Sequence, residues 1–574
     1  MNISFDGKRF VIECQFRENY KLDKLPNRRF DRRKKCWFAS AVRNNCVYLL
    51  ENCRDAMTED AVKIAEERTA KKKIEYKPFP TLFPFKLKPF EHQMQALDFA
   101  HGLDRYAYFM DMGTGKTKTA LDLNACWVME DKIDDMLILC PINLVENWCE
   151  EVVKHCAIDV DVCVIESGKK AQKAVDAARD NKKPTVFIAA LDSLRNRLGN
   201  TTVYNALISV MTRSRVGVVV DESHNVKGHE SNVSLNVQTL TENAPKLGLM
   251  TGTPMSQGFV DLYMQYEILD PDILGQGSYY AFRSRYCVLG GYEGKQIETY
   301  QNVDELIELT KPYTFQIKKT ECLDLPPKLY TQRSIDMTPE QAKLYREMDE
   351  TMTIKMPDPN NKAEVEVYVE QMVTKYGVLQ QIAGGFAMVE RDPIVKKLPN
   401  GEIKTKRVRE PVPIMPPDKN PKIKELQEIA KQHPDRSIIV WCKHTYEIEA
   451  VVAGLGTENC AQIHGGIPKG APRNAQRDLF NYGKRRFMVA NAATAGVGLN
   501  FVISDLVVYF SNTFRLVDRE QSEDRVHRIG QTADNVLYVD LFARGTKDPE
   551  IYDSLLMKQD FAAYLAEGLK RTAA

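Results

Sequence analysis

Phe109-Met110-Asp111-Met112-Gly113-Thr114-Gly115-Lys116-Thr117 carries the pattern Gly-x-Gly-Lys-Thr and leads into a helix expected to start near Thr117. Such a segment is suited to a nucleoside triphosphate. Gly113 and Gly115 let backbone N–H groups approach phosphate oxygens, with Thr114 between them. The helix turns its positive end toward them, Lys116 adds a mobile charge, and Thr117 offers a hydroxyl for Mg2+. The full phosphate-loop pattern asks for glycine where Met110 stands. Short Gly-Lys-Thr strings also occur in ordinary turns, so a second half of the site is needed.

Arg215-Val216-Gly217-Val218-Val219-Val220 supplies it as a buried strand that ends in Asp221-Glu222-Ser223-His224. In open α/β sheets ligands bind at the carboxyl ends of strands. There Asp221 can hold Mg2+ through water, and Glu222 can polarise the attacking water as a general base. Alone, an acidic pair after a strand is also a helix N-cap signal.

Further blocks follow in the order found in superfamily-two helicase-like motors, and their wording resembles the Swi/Snf family of double-stranded DNA translocases. Leu87-Lys88-Pro89-Phe90-Glu91-His92-Gln93 resembles the glutamine motif, which implies Gln93 on adenine. Leu139-Cys140-Pro141 through Trp148 resembles motif Ia, Asp221 to Lys227 motif II, Leu249 to Pro254 motif III, and Leu323-Asp324-Leu325-Pro326-Pro327-Lys328 the family's Pro-Pro-Lys signature. Ser437 to Cys442 resembles motif IV, Thr494-Ala495-Gly496-Val497-Gly498-Leu499-Asn500 motif V, and Gln521 to Gln531 motif VI. The likeness spans residues 85 to 545. It implies two RecA-like lobes in tandem, ATP and Mg2+ as cofactors, and a double-stranded or branched DNA track gripped by motif Ia, Thr251, Thr253, Thr494 and Asn500.

In motif VI, Arg525 and Arg528 stand three apart on what reads as one helix, so both should project from one face toward a phosphate. An arginine brought by the second lobe neutralises transition-state charge and ties hydrolysis to closure. A solvated basic helix face is the plain alternative.

Length and composition fit this reading: 574 residues suggest about three or four folding units. Formal charge is only +1, so clustering of Lys and Arg, not net charge, must serve a nucleic acid. Thirteen cysteines without a Cys-x-x-Cys pair suggest reduced thiols and no zinc site. No stretch reads as a leader or membrane span, so a cytoplasmic protein, monomeric without DNA, is expected.

The fold class expected is α/β. It comprises a small basic β-rich module at 1–75, a first lobe at 76–312, a helical linker with an exposed hairpin at 313–421, and a second lobe at 422–574. In the module, Lys8 to Ile12 reads as a strand, Leu25 to Trp37 as a charged turn leading into a second, Cys46 to Leu50 as a third, and Asp55 to Lys73 as a helix. Arg28, Arg29, Arg32, Arg33, Lys34 and Lys35 put six cations within eight residues, beside Phe30 and Trp37. Their order is similar to the HARP domain, a DNA-binding module of annealing helicases; a solvated loop is the alternative. The expected activity is an ATP-dependent DNA translocase that remodels branched or protein-bound DNA in repair, recombination or fork processing. A transcription-complex remodeller, an RNA helicase and a non-hydrolysing ATP-gated clamp remain as alternatives.

Overall fold

The computed structural model describes all residues except 8, 23–24, 26–27, 70–75, 167, 179–182, 197–200, 256–257, 291–295, 358–363, 370, 398–402, 469–470, 496–499, 558 and 560–574. The described residues fall into two units, Met1–Cys322 and Leu323–Gln559.

The first unit opens with a four-stranded antiparallel sheet in the order Asn2–Phe5, Arg9–Glu13, Cys36–Ser40, Arg29–Asp31. Phe10 and Ile12 point inward with Ile3 and Ala39, the period-two pattern of a sheet with one covered face. The basic run Arg32–Lys35 is the turn between two of these strands. Asp31 Oδ1 accepts the backbone N–H of Arg33 at 2.8 Å and of Lys34 at 3.0 Å, and Lys35 takes a left-handed φ of 52°.

Cys46 to Leu50, expected as a strand, lies instead in the helix Arg43–Cys53. Asn45, Cys46, Leu49 and Cys53 are its buried positions, the three-and-four spacing of a helix, and this packing outweighs the β preference of the apolar run. The following helix, Glu59–Thr69, starts later than expected because a 3₁₀ turn occupies Arg54–Ala56, and residues 70–73 lie outside the described ones. Arg68 joins it to the larger sheet domain through Asp272 at 2.8 Å.

That domain is built on seven parallel strands in the order Thr314–Ile317, Arg105–Met110, Lys246–Met250, Val216–Asp221, Asp135–Cys140, Thr185–Ala190, Asp161–Ile165. Alternate residues serve opposite cores. Phe109, Leu137, Leu139, Val218 and Val220 face one layer of helices, while Tyr108, Met110, Ile138 and Val219 face the other. Burial on both faces explains why these strands read as continuous apolar runs. Thr314–Ile317 adds an edge strand to this sheet, so the chain beyond Pro312, expected as linker, still builds the first domain.

The second unit carries six parallel strands in the order Lys328–Ile335, Val536–Ala543, Leu506–Tyr509, Ile438–Cys442, Phe487–Asn491, Cys460–Ile463. Lys328–Ile335 also comes from the expected linker. The rest of that stretch holds the helices Pro339–Thr351 and Met372–Gly384 and a short hairpin, Thr353–Pro357 with Glu364–Tyr368. Phe386–Lys397 then pairs antiparallel with Ile403–Pro413. This is the exposed hairpin expected within 313–421, although residues 398–402 lie outside the described ones. No helix among the described residues is long and apolar enough to cross a membrane.

Candidate active site

Strand Arg105–Met110 delivers the glycine loop, and the helix Lys116–Met129 leaves it one residue earlier than expected. Gly113 and Gly115 both have positive φ, 80° and 86°. A Cβ on Gly115 would stand 2.0 Å from Gln93 Nε2, so backbone conformation and space both demand glycine there. Gln93 is buried; its Nε2 donates to Thr114 O at 3.1 Å and its Oε1 accepts from Phe90 N at 3.1 Å. His92 Nε2 meets the same Thr114 carbonyl at 2.8 Å. The loop is therefore braced from the glutamine motif.

Its opposite side is braced by residues that the sequence reading did not single out. Lys319 N donates to Asp111 Oδ2 at 2.9 Å, and the Lys319 side chain, itself buried, passes within 3.5 Å of a Cβ built on Gly113. Lys116 folds back on its own loop, with Nζ donating to Met110 O at 2.7 Å and Asp111 O at 3.1 Å. Thr117, half-buried, follows on the first helical turn.

The acidic pair lies along the same sheet edge. Met250 stands opposite both Asp221 and Tyr108 in the ladder, so the carboxyl ends of three adjacent strands bring together the glycine loop, Asp221-Glu222 and Thr251. Asp221 is buried and accepts from Trp148 Nε1 at 2.9 Å and from Glu222 N at 2.9 Å. Burial, then the neighbouring Glu222 charge, hold its carboxyl above the ordinary aspartate range; Trp148 and Lys116 partly offset them. Glu222 adopts a left-handed φ of 49°. That conformation costs on the order of 1–3 kcal/mol and characterises positions whose side-chain direction is imposed by their surroundings.

Thr251 Oγ1 sits 3.4 Å from Glu222 Oε2 and 3.0 Å from His224 Nδ1, and His224 Nδ1 is 3.3 Å from Glu222 Oε2. Thr253 N donates to Thr251 Oγ1 at 3.1 Å. Thr251, expected on a nucleic-acid track, is fully buried, and its hydroxyl serves the carboxylate and imidazole. Thr253 is nearly as buried, and its hydroxyl has no hydrogen-bond partner among the described residues. Trp148 was noticed only as part of motif Ia. Its link to Asp221 depends on how two parallel strands align, which no local pattern reveals.

In the second unit the helix Leu516–Glu523 stops before either candidate arginine. Arg525 and Arg528 lie on the succeeding turns, both half-buried, so the expectation that one helix face presents them is corrected. His527 N still reaches Glu523 O at 2.9 Å, but Arg528 N turns to Val526 O at 3.2 Å, ending the helical ladder. Buried Val526 and His527 hold the turn down. Of motif V, Thr494 lies in the short helix Ala492–Ala495, residues 496–499 are outside the described ones, and Asn500 is exposed with its carbonyl bonded by Asn481 Nδ2 at 2.9 Å.

In the N-terminal hairpin, Arg29, Arg32, Arg33, Lys34 and Lys35 are exposed. Phe30, half-exposed, packs 5.0 Å from the Trp37 ring, and the Arg28 guanidinium lies 4.9 Å over that same ring. Elsewhere His101, Cys126 and Glu130 converge, but Lys132 Nζ lies 2.5 Å from the Glu130 carboxylate and already balances its charge.

A model of the SNF2-related domain matches residues 92–383, and one of the helicase conserved C-terminal domain matches residues 421–530. The DNA annealing helicase and endonuclease ZRANB3 of Bos taurus is 26% identical over 497 residues, covering 84% of this chain and 41% of its own. The TATA-binding protein-associated factor 172 of Homo sapiens is 22% identical over 464 residues, covering 74% and 24%. The chain thus spans less than half the length of these relatives. The Sulfolobus solfataricus SWI2/SNF2 ATPase core in complex with dsDNA is 20% identical, covering 86% of this chain and 96% of its own, with a TM-score of 0.37.

Proposed function

The chain belongs to the SNF2-related domain family, and from that premise we propose that it is a DNA-dependent ATPase that translocates on double-stranded DNA and remodels branched or protein-bound DNA. One observation carries the reading: the glycine loop, Asp221-Glu222 and Thr251 share one edge of one sheet, where adjacent strands end together. Gly113, Thr114 and Gly115 cradle phosphates, Lys116 leaves its loop carbonyls for them, and Gln93 reads the adenine.

Thr117 and Asp221 would hold Mg2+, the aspartate partly through water; the ion would neutralise phosphate charge. The site suits both groups, since glycine is enforced at Gly115 and the carboxylates lie on the same edge. Glu222, held by its backbone conformation and by Thr251, orients and deprotonates water. Arg525 and Arg528 neutralise charge on the transferring phosphoryl group.

In this reading residues 1–75 form a HARP-like module whose hairpin cations, with Phe30 and Trp37, favour DNA containing a junction or a single-stranded arm. Arg28 rests against Trp37, and Arg29, Arg32 and Arg33 reach outward. The motif Ia loop, Thr494 and Asn500 meet the backbone of the track. The likeness to an annealing helicase supports fork remodelling over transcription-complex remodelling as the task. The test is ATPase stimulation by a panel of duplex, forked and single-stranded DNA and duplex RNA. Duplex and forked DNA should stimulate most; equal stimulation by RNA, or no stimulation by any nucleic acid, would overturn the proposal.

A further inference from the structure

The turn that bears Arg525 and Arg528 is fastened at two points by a segment almost two hundred residues earlier in the chain. At one point Glu523, the last residue of the preceding helix, has its side chain almost wholly buried. Its Oε2 accepts from Lys328 Nζ at 2.8 Å and from Tyr330 OH at 2.8 Å, and its Oε1 accepts from Arg519 Nε at 2.7 Å. Arg519 in turn donates to Asp540 through Nη1 at 2.6 Å and Nη2 at 3.0 Å, on the strand beside Lys328–Ile335. At the other point His527, between the two arginines, places Nε2 2.8 Å from Pro326 O. Pro327 O accepts from Val536 N at 3.0 Å, which anchors the segment itself to the sheet.

Exposed basic residues near a strand edge need no such arrangement. A carboxylate with three donors, two of them cationic, is a costly buried group unless every partner stays in place. Once in place, it fixes where the helix stops. The backbone bonds from Val526 N and His527 N to Glu523 O then set the course of the turn beyond it. Tyr330 is also stacked on Tyr538, with ring centres 5.2 Å apart, and Tyr538 OH donates to Glu523 O at 3.3 Å. The same tyrosine pair therefore supports both ends of the Glu523 residue.

We propose that Pro326, Lys328 and Tyr330 are positioning residues for hydrolysis, which set the arginine turn through Glu523 and His527 so that Arg528 meets the phosphoryl group. This rests on the reading of Arg528 given above. It assigns a mechanical task to the Pro-Pro-Lys segment, whose side chains need not touch nucleotide or DNA.

A double-mutant cycle on the full chain tests it. Lys328→Met, Tyr330→Phe, Arg528→Ala and the two doubles are compared by ATP turnover at saturating duplex DNA. KM for ATP, affinity for a fluorescent ADP analogue, DNA affinity and thermal melting are measured on the same preparations. Lys328→Met should lower kcat about tenfold and Tyr330→Phe a few-fold, with KM, ADP affinity and DNA affinity within about twofold of the parent.

In the Arg528→Ala background neither change should lower kcat further, because the group they position is gone. Equal losses in both backgrounds would overturn the inference, as would parental turnover in variants that melt normally. Should Lys328→Met not fold, Tyr330→Phe, which deletes one hydroxyl, carries the cycle by itself. Parental turnover in Arg528→Ala would instead strike at the arginine reading and remove the ground for this one; a reduced Arg528→Ala with additive partners refutes the positioning role alone.

Discussion

Replacing Trp148 by phenylalanine removes a single polar contact from the candidate site, the Nε1–H donated to Asp221 Oδ2 over 2.9 Å. The pKa of Asp221 is already held above the ordinary aspartate range, by burial first and by the Glu222 charge second. A hydrogen bond to a charged group is worth about 1.5–3 kcal/mol, and 1.36 kcal/mol corresponds to one pH unit, so losing the indole donor should raise this value by about 1–2 units. An aspartate must be ionised to hold Mg2+. In the parent, turnover should therefore fall on the acid side, and in Trp148→Phe the same acid limb should move to higher pH by about 1–2 units, with turnover regained at still higher pH.

Stability gives a second sign to check. A carboxyl raised above its unfolded value takes up a proton on folding, so its contribution grows as pH falls from the folded value toward about 4 and is absent above it. Trp148→Phe should accordingly be penalised more in alkaline than in acidic buffer. The smaller ring also leaves space in a fully buried position, at a cost below the roughly 3–5 kcal/mol of full truncation, and that part is independent of pH. Turnover of both proteins is measured between pH 5.5 and 9 at saturating ATP and DNA with Mg2+ titrated at each pH, alongside thermal melts. An acid limb at the same pH in both proteins, with reduced turnover at every pH, would show that Trp148 acts by packing and that its bond to Asp221 is incidental.

Lys116→Ala and Glu222→Gln should both abolish DNA-stimulated hydrolysis but fail differently: nucleotide affinity falls in the first and persists in the second, and near-parental turnover in Glu222→Gln would sink the general-base role. Gly115→Ala must displace Gln93 Nε2, which lies 2.0 Å from the Cβ position, and strain a φ of 86°, so nucleotide affinity should drop at least about tenfold by titration, and unchanged affinity would refute the close bracing of the loop. Serine at Arg28, Arg29, Arg32, Arg33, Lys34 and Lys35 should flatten the salt dependence of fork binding, reducing the log–log slope by up to about five if all six meet phosphate. A variant that still separates forks from plain duplex at several salt concentrations would make the hairpin a solvated turn.

The parts legible in the sequence were those whose causes are local. Val216–Asp221 and Ile438–Cys442 are buried on both faces and announce themselves as apolar runs, and the glycine loop and acidic pair are contiguous. Lys328–Ile335 gave no such signal because it is an edge strand with most residues exposed, and Thr314–Ile317 is only four residues long. Cys46 to Leu50 was ambiguous on periodicity, and the helix prevails through the burial of Asn45 and Cys53 on either side of the run.

The stretch Gln521 to Arg528 marks where local reading ends. Nothing in Gln-Ser-Glu-Asp-Arg-Val-His-Arg forbids a helix, and the intrinsic preferences of these residues differ by less than about 0.7 kcal/mol each. What stops the helix at Glu523 is a set of long-range bonds, from Lys328 and Tyr330 to the carboxylate and from His527 to Pro326, whose combined worth exceeds any such preference. The signature that looked like a linker and the motif that looked like a helix are thus two halves of one constraint. Each is misread when taken alone, because the bond that explains it has its other end about two hundred residues away.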